Sequence, residues 1–175
     1  MTPSTVNNEA LTLHPVSGRD EAFLLELYAS TRADLELAAC DAATRALLVR
    51  MQFNAQQAHY RAAHPHASLS IVTGPAGPLG QLCVEHGADG IRLVDISLLP
   101  QYRRRGIGTR LLGGLMAQAG QAALPLRLSV LSDNPALALY RRLGFRDCGE
   151  AGMRRQMAWY PATHADARRA SISIE

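Results

Sequence analysis

The sequence predicts a single α/β (α+β) domain, in which one mixed, mostly antiparallel, twisted sheet has helices on both faces. The chain has 175 residues, 47% of them hydrophobic and 19% charged, which suits one domain with a buried core. Helical and strand-like patterns follow one another in the order β-α-α-β-β-β-α-β-α-β-β. A strand–helix–strand unit over 91–131 predicts one parallel pair, and the tight turns elsewhere predict antiparallel neighbours.

The first half of the chain is predicted to form a short strand, two helices and a three-stranded meander. Asp41 is a typical helix N-cap, and His64-Pro65 is expected to end the helix that follows. Glycine and proline clusters at 74–78 and 87–90 separate the meander strands. The predicted elements are strand 10–15, helices 18–30 and 41–60, and strands 68–73, 79–86 and 91–99.

The second half is predicted to contain two further helices and three strands. Helix 106–121 carries an apolar stripe, and Asn134-Pro135 has the cap and first-turn proline of a helix ending at Gly144. The predicted strands are 126–131, 145–148 and 153–160, the last two joined through Gly149–Gly152. We expect a single domain over 1–175 with its core at about 10–160, and flexible ends at 1–8 and 162–175.

The compartment follows from what the sequence lacks. Cys40, Cys83 and Cys148 are far apart and form no CxxC pair, which argues against a zinc knuckle or a redox dithiol. We therefore expect no metal. The N-terminus has no signal-peptide pattern, and no apolar run is long enough for a membrane helix. The sequence thus predicts a cytoplasmic protein without a membrane partner.

The basic residues exclude some mechanisms and point toward an anionic partner. All 18 are arginine, so a lysine Schiff base, a lysine nucleophile and a P-loop lysine are impossible. Residues 1–100 have a net charge of −4 and residues 101–175 a net charge of +7. A basic half of this kind is typical of a protein that meets nucleic acid, a membrane surface or a phosphorylated small molecule.

A glycine-containing turn before helix 106–121 is the most specific feature of the basic half. Gly106 and Gly108 allow close approach to a helix N-terminus, whose unpaired N–H groups and positive dipole end bind phosphate. Arginines 103–105 add positive charge and forked donors there. A Rossmann fingerprint starting at Gly106 would need glycine where Leu111 stands, and it is therefore absent.

Two blocks of sequence resemble the GNAT superfamily of N-acetyltransferases. Arg103-x-x-Gly106-x-Gly108 matches the (Arg/Gln)-x-x-Gly-x-(Gly/Ala) signature, whose backbone amides hold the pyrophosphate of coenzyme A in that family. The segment from Asn134 through Tyr140 to Gly144-Phe145 resembles the later block of the family. The resemblance covers about residues 68–159.

The resemblance implies an N-acetyltransferase that moves the acetyl group of acetyl-CoA to a primary amine by direct attack in a ternary complex. Tyr140 would protonate the departing thiolate, and a backbone N–H near Leu98 could stabilise the oxyanion. The cofactor-binding residues implied are Leu98, Leu99, Pro100, Arg103, Arg104, Arg105, Gly106, Ile107, Gly108, Thr109, Asn134 and Tyr140.

The group that accepts the proton of the amine is predicted less directly. Asp95 is the first candidate, because a carboxylate within the apolar strand IRLVDISLL needs a partner or a wet cleft. A structural bridge to Arg92 or Arg127 is the alternative for Asp95, while Glu85 or ordered water are alternatives for the base. The residues that could line the acceptor site are Tyr28, Arg32, Phe53 and Tyr60.

Two other functions compete with catalysis. A protein with the same fold could bind acyl-CoA as a sensor without turnover, and the basic half could bind nucleic acid. The basic stretch contains few aromatic residues and no helix-turn-helix or RNA-binding signature, so we expect no nucleic-acid partner. The expected partner is a small-molecule or peptide amine, bound by a monomer or a homodimer.

Overall fold

The computed structural model describes residues 10–32, 34 and 40–162, so the predicted flexible ends lie almost entirely outside the described residues. The predicted order of elements is confirmed. None of the helices in these ranges is long and apolar enough to cross a membrane. The elements are β1 (Thr12–Pro15), α1 (Glu21–Ala29), α2 (Ala42–Ala63), β2 (Ala67–Gly74), β3 (Gly77–Gly87), β4 (Gly90–Leu98), α3 (Ile107–Gln121), β5 (Leu126–Leu131), α4 (Leu137–Arg142), β6 (Arg146–Ala151) and β7 (Arg154–Trp159).

The seven strands form one mixed sheet in the order β1-β2-β3-β4-β5-β7-β6. Only β4 and β5 are parallel among the described pairs, as the connection through α3 requires. The prediction of a mixed, mostly antiparallel sheet is therefore confirmed.

Helices cover both faces of the sheet, and neighbouring residues of β2 show the division. Ile71 is fully buried against α1 and α2, whereas Val72 is fully buried against the side that packs on α3 and α4. This alternation is the period of two that a strand imposes on its side chains. We call the face toward α1 and α2 the front of the sheet and the face toward α3 and α4 the back.

Two predicted boundaries in the second half are wrong. The helix that was expected to open at Asn134 begins at Leu137, because Leu137 N–H bonds the Asn134 carbonyl three residues back and forms a tight turn. The last hairpin turns at Gly152-Met153, so β6 runs through Gly149. Gly149 has a φ of +138° beside a register shift after Asp147, and this glycine accommodates a bulge within the strand.

A bulge at Val94 positions the site. Cys83 of β3 lies opposite Asp95, but the next residue, Val84, lies opposite Leu93, which leaves Val94 without a partner. Simple alternation would direct Leu93 and Asp95 to the same face. Because the bulge inserts one residue, Leu93 faces the back core and Asp95 faces the front.

Gly80 of β3 lies opposite Leu98 at the C-terminal end of β4, and replacing this glycine should destabilise the fold. A Cβ at this position would lie 2.3 Å from the carbonyl oxygen of Ser97 and 3.2 Å from the Cα of Leu98. Gly80→Ala is expected to lower the free energy of unfolding by about 1–3 kcal/mol, measured by urea denaturation. Gly114→Ala, which meets open space on α3, is the control and should stabilise slightly. Equal stability of the two variants would contradict this packing.

Candidate active site

The parallel strands β4 and β5 separate part-way along their length and open a cleft through the sheet. Their pairing ends at Leu93 and Leu128, directly before the bulge. Beyond this point a cavity of about 180 Å³ lies between the strands. Residues from three strands, two helices and the turn before α4 line it: Tyr60, Leu93, Val94, Asp95, Ile96, Leu128, Ser129, Val130, Leu131, Asn134, Tyr140 and Arg154.

The β4 edge of this cleft has backbone groups that are not paired with β5. The N–H of Leu99 donates to the carbonyl of Leu79 at 2.9 Å, so the backbone of Leu99 is hydrogen-bonded on the β3 side. Bonding direction alternates along an antiparallel pair, and the N–H and C=O groups of Ile96 and Leu98 therefore point toward the opening. The Leu98 carbonyl accepts a bond from Arg103 Nε at 2.8 Å. An extended ligand could add to this edge as a strand does.

Asp95 is held on the front wall of the cleft by neutral donors. Its carboxylate accepts bonds from Gln81 Nε2 and, at 3.1 Å, from Ser97 Oγ. Removal from water raises the pKa of Asp95 above its ordinary value, and these bonds together with the charge of Arg154 offset part of the shift. Neither arginine proposed as a bridge reaches it: Arg92 lies near Glu85, and Arg127 pairs with Asp89.

Two tyrosines face this carboxylate from different helices. Tyr140, on α4, is 5% exposed and packs edge-on against Phe145, and burial with the charge of Asp95 raises its pKa to about 12. Tyr60, on α2, has a pKa raised by the same two causes. Neither hydroxyl bonds to any residue within the described part of the chain. Both phenols are therefore protonated at neutral pH and available to a ligand.

The N-terminus of α3 is open for an anion. Gly106 is the N-cap at a φ of +79°, a conformation that favours glycine, and no side chain caps the helix. The first α-helical bond joins Arg110 N–H to the Gly106 carbonyl, so the N–H groups of Ile107, Gly108 and Thr109 have no acceptor within the helix. A Cβ at Gly108 would lie 3.6 Å from Leu139 of α4, which is ordinary contact.

The three arginines of this loop differ in what their side chains contact. Arg103 Nη2 donates to the carbonyl and hydroxyl of Ser30, which ties the loop to the end of α1. The Arg105 guanidinium lies 5.7 Å from the ring centroid of Tyr102. Arg104 has a φ of +58°, an uncommon conformation for a residue with a side chain. Arg103 therefore positions the loop, while the other two add charge at its surface.

The remaining predicted residues are only partly brought together. Asn134 lines the cleft, but its Oδ1 accepts the N–H of Ala136 at 2.8 Å and so forms the turn before α4. Glu85 bonds His64 at 2.9 Å and lines a different cavity. Tyr28 and Phe53 pack against each other with centroids 5.7 Å apart. Arg32 bonds the hydroxyl of Tyr28 and the carboxylate of Asp34. Of the four residues proposed for the acceptor side, Tyr60 is the one in the cleft.

Sequence reasoning missed Arg154, Ser129 and Gln81. Arg154 Nε and Nη2 donate to the hydroxyl and carbonyl of Ser129, at 3.0 and 2.7 Å, across the antiparallel β5–β7 pair. Strand alternation puts Arg154 and Gln156 on one face, but it does not say that this face borders an opening. Gln81 is 7% exposed and carries no motif, so only its bond to Asp95 reveals it.

Part of the sequence is similar to a known acetyltransferase family and to two curated proteins. Residues 69–147 match the family model described as "Acetyltransferase (GNAT) domain". An uncharacterized protein of Mycobacterium leprae is 47% identical over 73 residues, covering 41% of this chain and 18% of that protein. An N-alpha-acetyltransferase of Sulfurisphaera tokodaii is 41% identical over 61 residues, covering 31% of this chain and 35% of that one. The matches thus span well under two thirds of either relative.

The fold is also found among solved structures. The crystal structure of PaiA N-acetyltransferase from Thermoplasma acidophilum, in complex with coenzyme A, superposes with a TM-score of 0.64 over 86% of this chain and 99% of that chain, at 16% identity. An acetyltransferase from Thermus thermophilus has a TM-score of 0.63 at 20% identity, over 86% of this chain and 97% of that one. At these identities the likeness concerns the fold.

Proposed function

We propose that this chain, which belongs to the GNAT superfamily of acetyltransferases, transfers the acetyl group of acetyl-CoA to a primary amine. The amine attacks the thioester directly within a ternary complex. One observation carries the proposal: β4 and β5 part beside an uncapped helix N-terminus, with Asp95 and Tyr140 on the walls of the opening. The cleft thereby joins a phosphate site to a pair of proton-transfer groups.

Acetyl-CoA would bind along the back of the cleft. The pyrophosphate fits the N–H groups of Ile107, Gly108 and Thr109, and the charges of Arg104 and Arg105 favour it. The amides of the pantetheine arm fit the backbone groups of Ile96 and Leu98 that β5 leaves unpaired, apart from the Leu98 carbonyl, which Arg103 already occupies. Leu99 and Pro100 support the loop through backbone bonds to Leu79, Tyr102 and Arg103 rather than through their side chains.

The amine would enter from the front, where Asp95 can take its proton. An alkylammonium ion must lose a proton before its nitrogen can attack the thioester carbon. The raised pKa of Asp95 makes this carboxylate a better proton acceptor than an exposed one, and Gln81 and Ser97 orient it. A backbone N–H of β4 facing the opening would stabilise the oxyanion of the tetrahedral intermediate.

Tyr140 would complete the reaction on the sulfur. As the new C–N bond forms and the C–S bond breaks, the phenol gives its proton to the departing thiolate. The ammonium loses two protons overall: one replaces the proton that Tyr140 gave, and the other leaves through Asp95 to water. Protonation of Asp95 removes a negative charge that helps raise the pKa of Tyr140, so the phenol becomes a stronger acid when it is needed.

Release of free coenzyme A thiol in the presence of an amine panel tests the proposed function. The panel contains polyamines, amino acids, aminoglycosides, short peptides with free N-termini and a lysine-containing peptide. We expect amine-dependent thiol release and an acetylated product by mass spectrometry. Tight acetyl-CoA binding without turnover of any amine would favour a sensor. A thermal shift with DNA or RNA but none with acetyl-CoA would favour nucleic-acid binding.

Gly108→Gln is expected to weaken acetyl-CoA binding at least about tenfold, measured by calorimetry, because its side chain would fill the space between α3 and α4. The free protein should keep its stability, since a Cβ fits at this position. Gly113→Gln is the matched control: it lies on the same helix, and its Cβ would meet nothing within 4 Å. Equal acetyl-CoA affinity of the two variants would contradict this placement of the coenzyme.

A further inference from the structure

The front wall of the cleft contains a fixed cation that the proposed chemistry does not use. Arg154 lines the cavity, and two bonds to Ser129 hold its guanidinium through Nε and Nη2. Its Nη1 donates to no residue in the described part of the chain. A guanidinium anchored on one edge with its other donors free is arranged to bind a carboxylate.

Asp95, which has the opposite charge, lies on the neighbouring wall of the cleft and does not pair with Arg154. Asp95 and Arg154 are near enough for the arginine to lower the pKa of the carboxyl group, yet the two form no ion pair. Within residues 10–32, 34 and 40–162, neither side chain is in a salt bridge with any other residue. The cavity thus separates one negative and one positive group, each bonded to neutral partners.

We propose that the acceptor is a small zwitterion, an α-amino acid or a close analogue, whose ammonium group meets Asp95 and whose carboxylate binds Arg154. Arg154 is then a specificity-determining residue, with Ser129 as the residue that positions it. This inference rests on the proposed function and deepens it by naming the substrate class.

Other acceptor classes fit these charges less well. A polyamine would bring further positive charge against Arg154, and a peptide N-terminus or a protein lysine offers no carboxylate beside the reacting nitrogen. A cavity of about 180 Å³ suits a small head group. An amino acid satisfies both charged walls at once.

Matched sets of acceptors test the inference on the wild-type protein. Each set contains an amino acid, its amide and its decarboxylated amine: alanine, alaninamide and ethylamine, with the corresponding sets for phenylalanine, methionine and leucine. We expect kcat/KM for the preferred amino acid to exceed that for its amide by about ten- to a hundredfold, as a charge-assisted bond allows. Amine basicity alone would favour the amide, which has more free base at neutral pH.

Arg154→Gln should remove this preference, mainly through KM, while acetyl-CoA affinity stays unchanged. Arg154→Lys should keep part of it. Arg155→Gln is the control, since Arg155 pairs with Asp147 and Glu150 away from the cleft, and it should preserve the wild-type ratio. The wild-type ratio itself does not depend on how well any variant folds.

Three results would overturn the inference. Turnover of carboxylate-free amines with equal or better kcat/KM contradicts it and leaves the proposed function standing. An acid-to-amide ratio that Arg154→Gln leaves unchanged contradicts the assignment of Arg154. Absence of turnover with every amine, despite acetyl-CoA binding, overturns both the proposed function and the inference that rests on it.

Discussion

Replacing Asp95 with asparagine is expected to lower kcat/KM for the amine by about 100- to 10,000-fold, because the variant cannot take the proton of the ammonium group. Asparagine has nearly the same shape and can still accept bonds from Gln81 and Ser97 through its amide oxygen. The loss should therefore reflect the missing base rather than a collapsed cleft. Steady-state kinetics at saturating acetyl-CoA measure it.

The same substitution should leave the fold intact or strengthen it at alkaline pH. The pKa of Asp95 is raised in the folded state, so the folded protein holds this proton more tightly than the unfolded chain. The stabilising contribution is complete below the ordinary aspartate pKa and is lost as pH rises through the raised value. A permanently neutral asparagine avoids that loss, and its Tm at pH 8 is expected to equal or exceed the wild-type Tm.

Asp89→Asn is the control for both measurements, since Asp89 lies in the β3–β4 turn and is 87% exposed. It should leave kcat/KM unchanged. If Asp95→Asn kept wild-type kcat/KM where chemistry limits the rate, ordered water or another group would be the base. If it lost activity only together with a large fall in Tm, Asp95 would have a structural role.

Tyr140→Phe is expected to lower kcat by about 100-fold or more while acetyl-CoA affinity stays nearly unchanged. The phenylalanine ring keeps its contact with Phe145, and the hydroxyl bonds to no described residue, so little stability should be lost. The step that this variant would lose in the proposed mechanism is protonation of the departing thiolate. Donors with leaving thiols of lower pKa should therefore depend less on Tyr140.

Tyr28→Phe serves as the control, because that hydroxyl bonds Arg32 and lies outside the cleft. Its kcat should equal that of the wild type. An unchanged kcat for Tyr140→Phe, measured where acetyl transfer and not product release limits turnover, would remove Tyr140 from the role of general acid.

Much of the fold could be predicted because periodicity and turn residues act locally. The turns at Gly74–Pro78 and Gly87–Gly90 indicated where three successive strands end and begin. The helix predicted over 106–121 connects β4 to β5, and this connection indicated that the two strands are parallel. The start of α4 was predicted three residues too early, since Asn134-Pro135 is equally suited to a helix start and to the tight turn that forms.

The sequence predicts the parts of the candidate site that a contiguous motif forms. It does not predict the parts that depend on how the strands pair. The uncapped start of α3 follows from Gly106 and Gly108 alone. The front-facing direction of Asp95 depends on the bulge at Val94, which reverses alternation within β4 and leaves no mark in the sequence. Arg154 reaches the cleft because β7 pairs with β5, an arrangement set by the whole sheet.

Chemical-shift mapping of backbone amides during a titration with acetyl-CoA shows directly where the coenzyme binds. We propose that it occupies the opening between β4 and β5 and the N-terminus of α3. Saturable shifts are therefore expected at Ile107–Thr109, at Ile96 and Leu98, and at Tyr140. No shifts at millimolar acetyl-CoA, or shifts confined to other parts of the sheet, would contradict it.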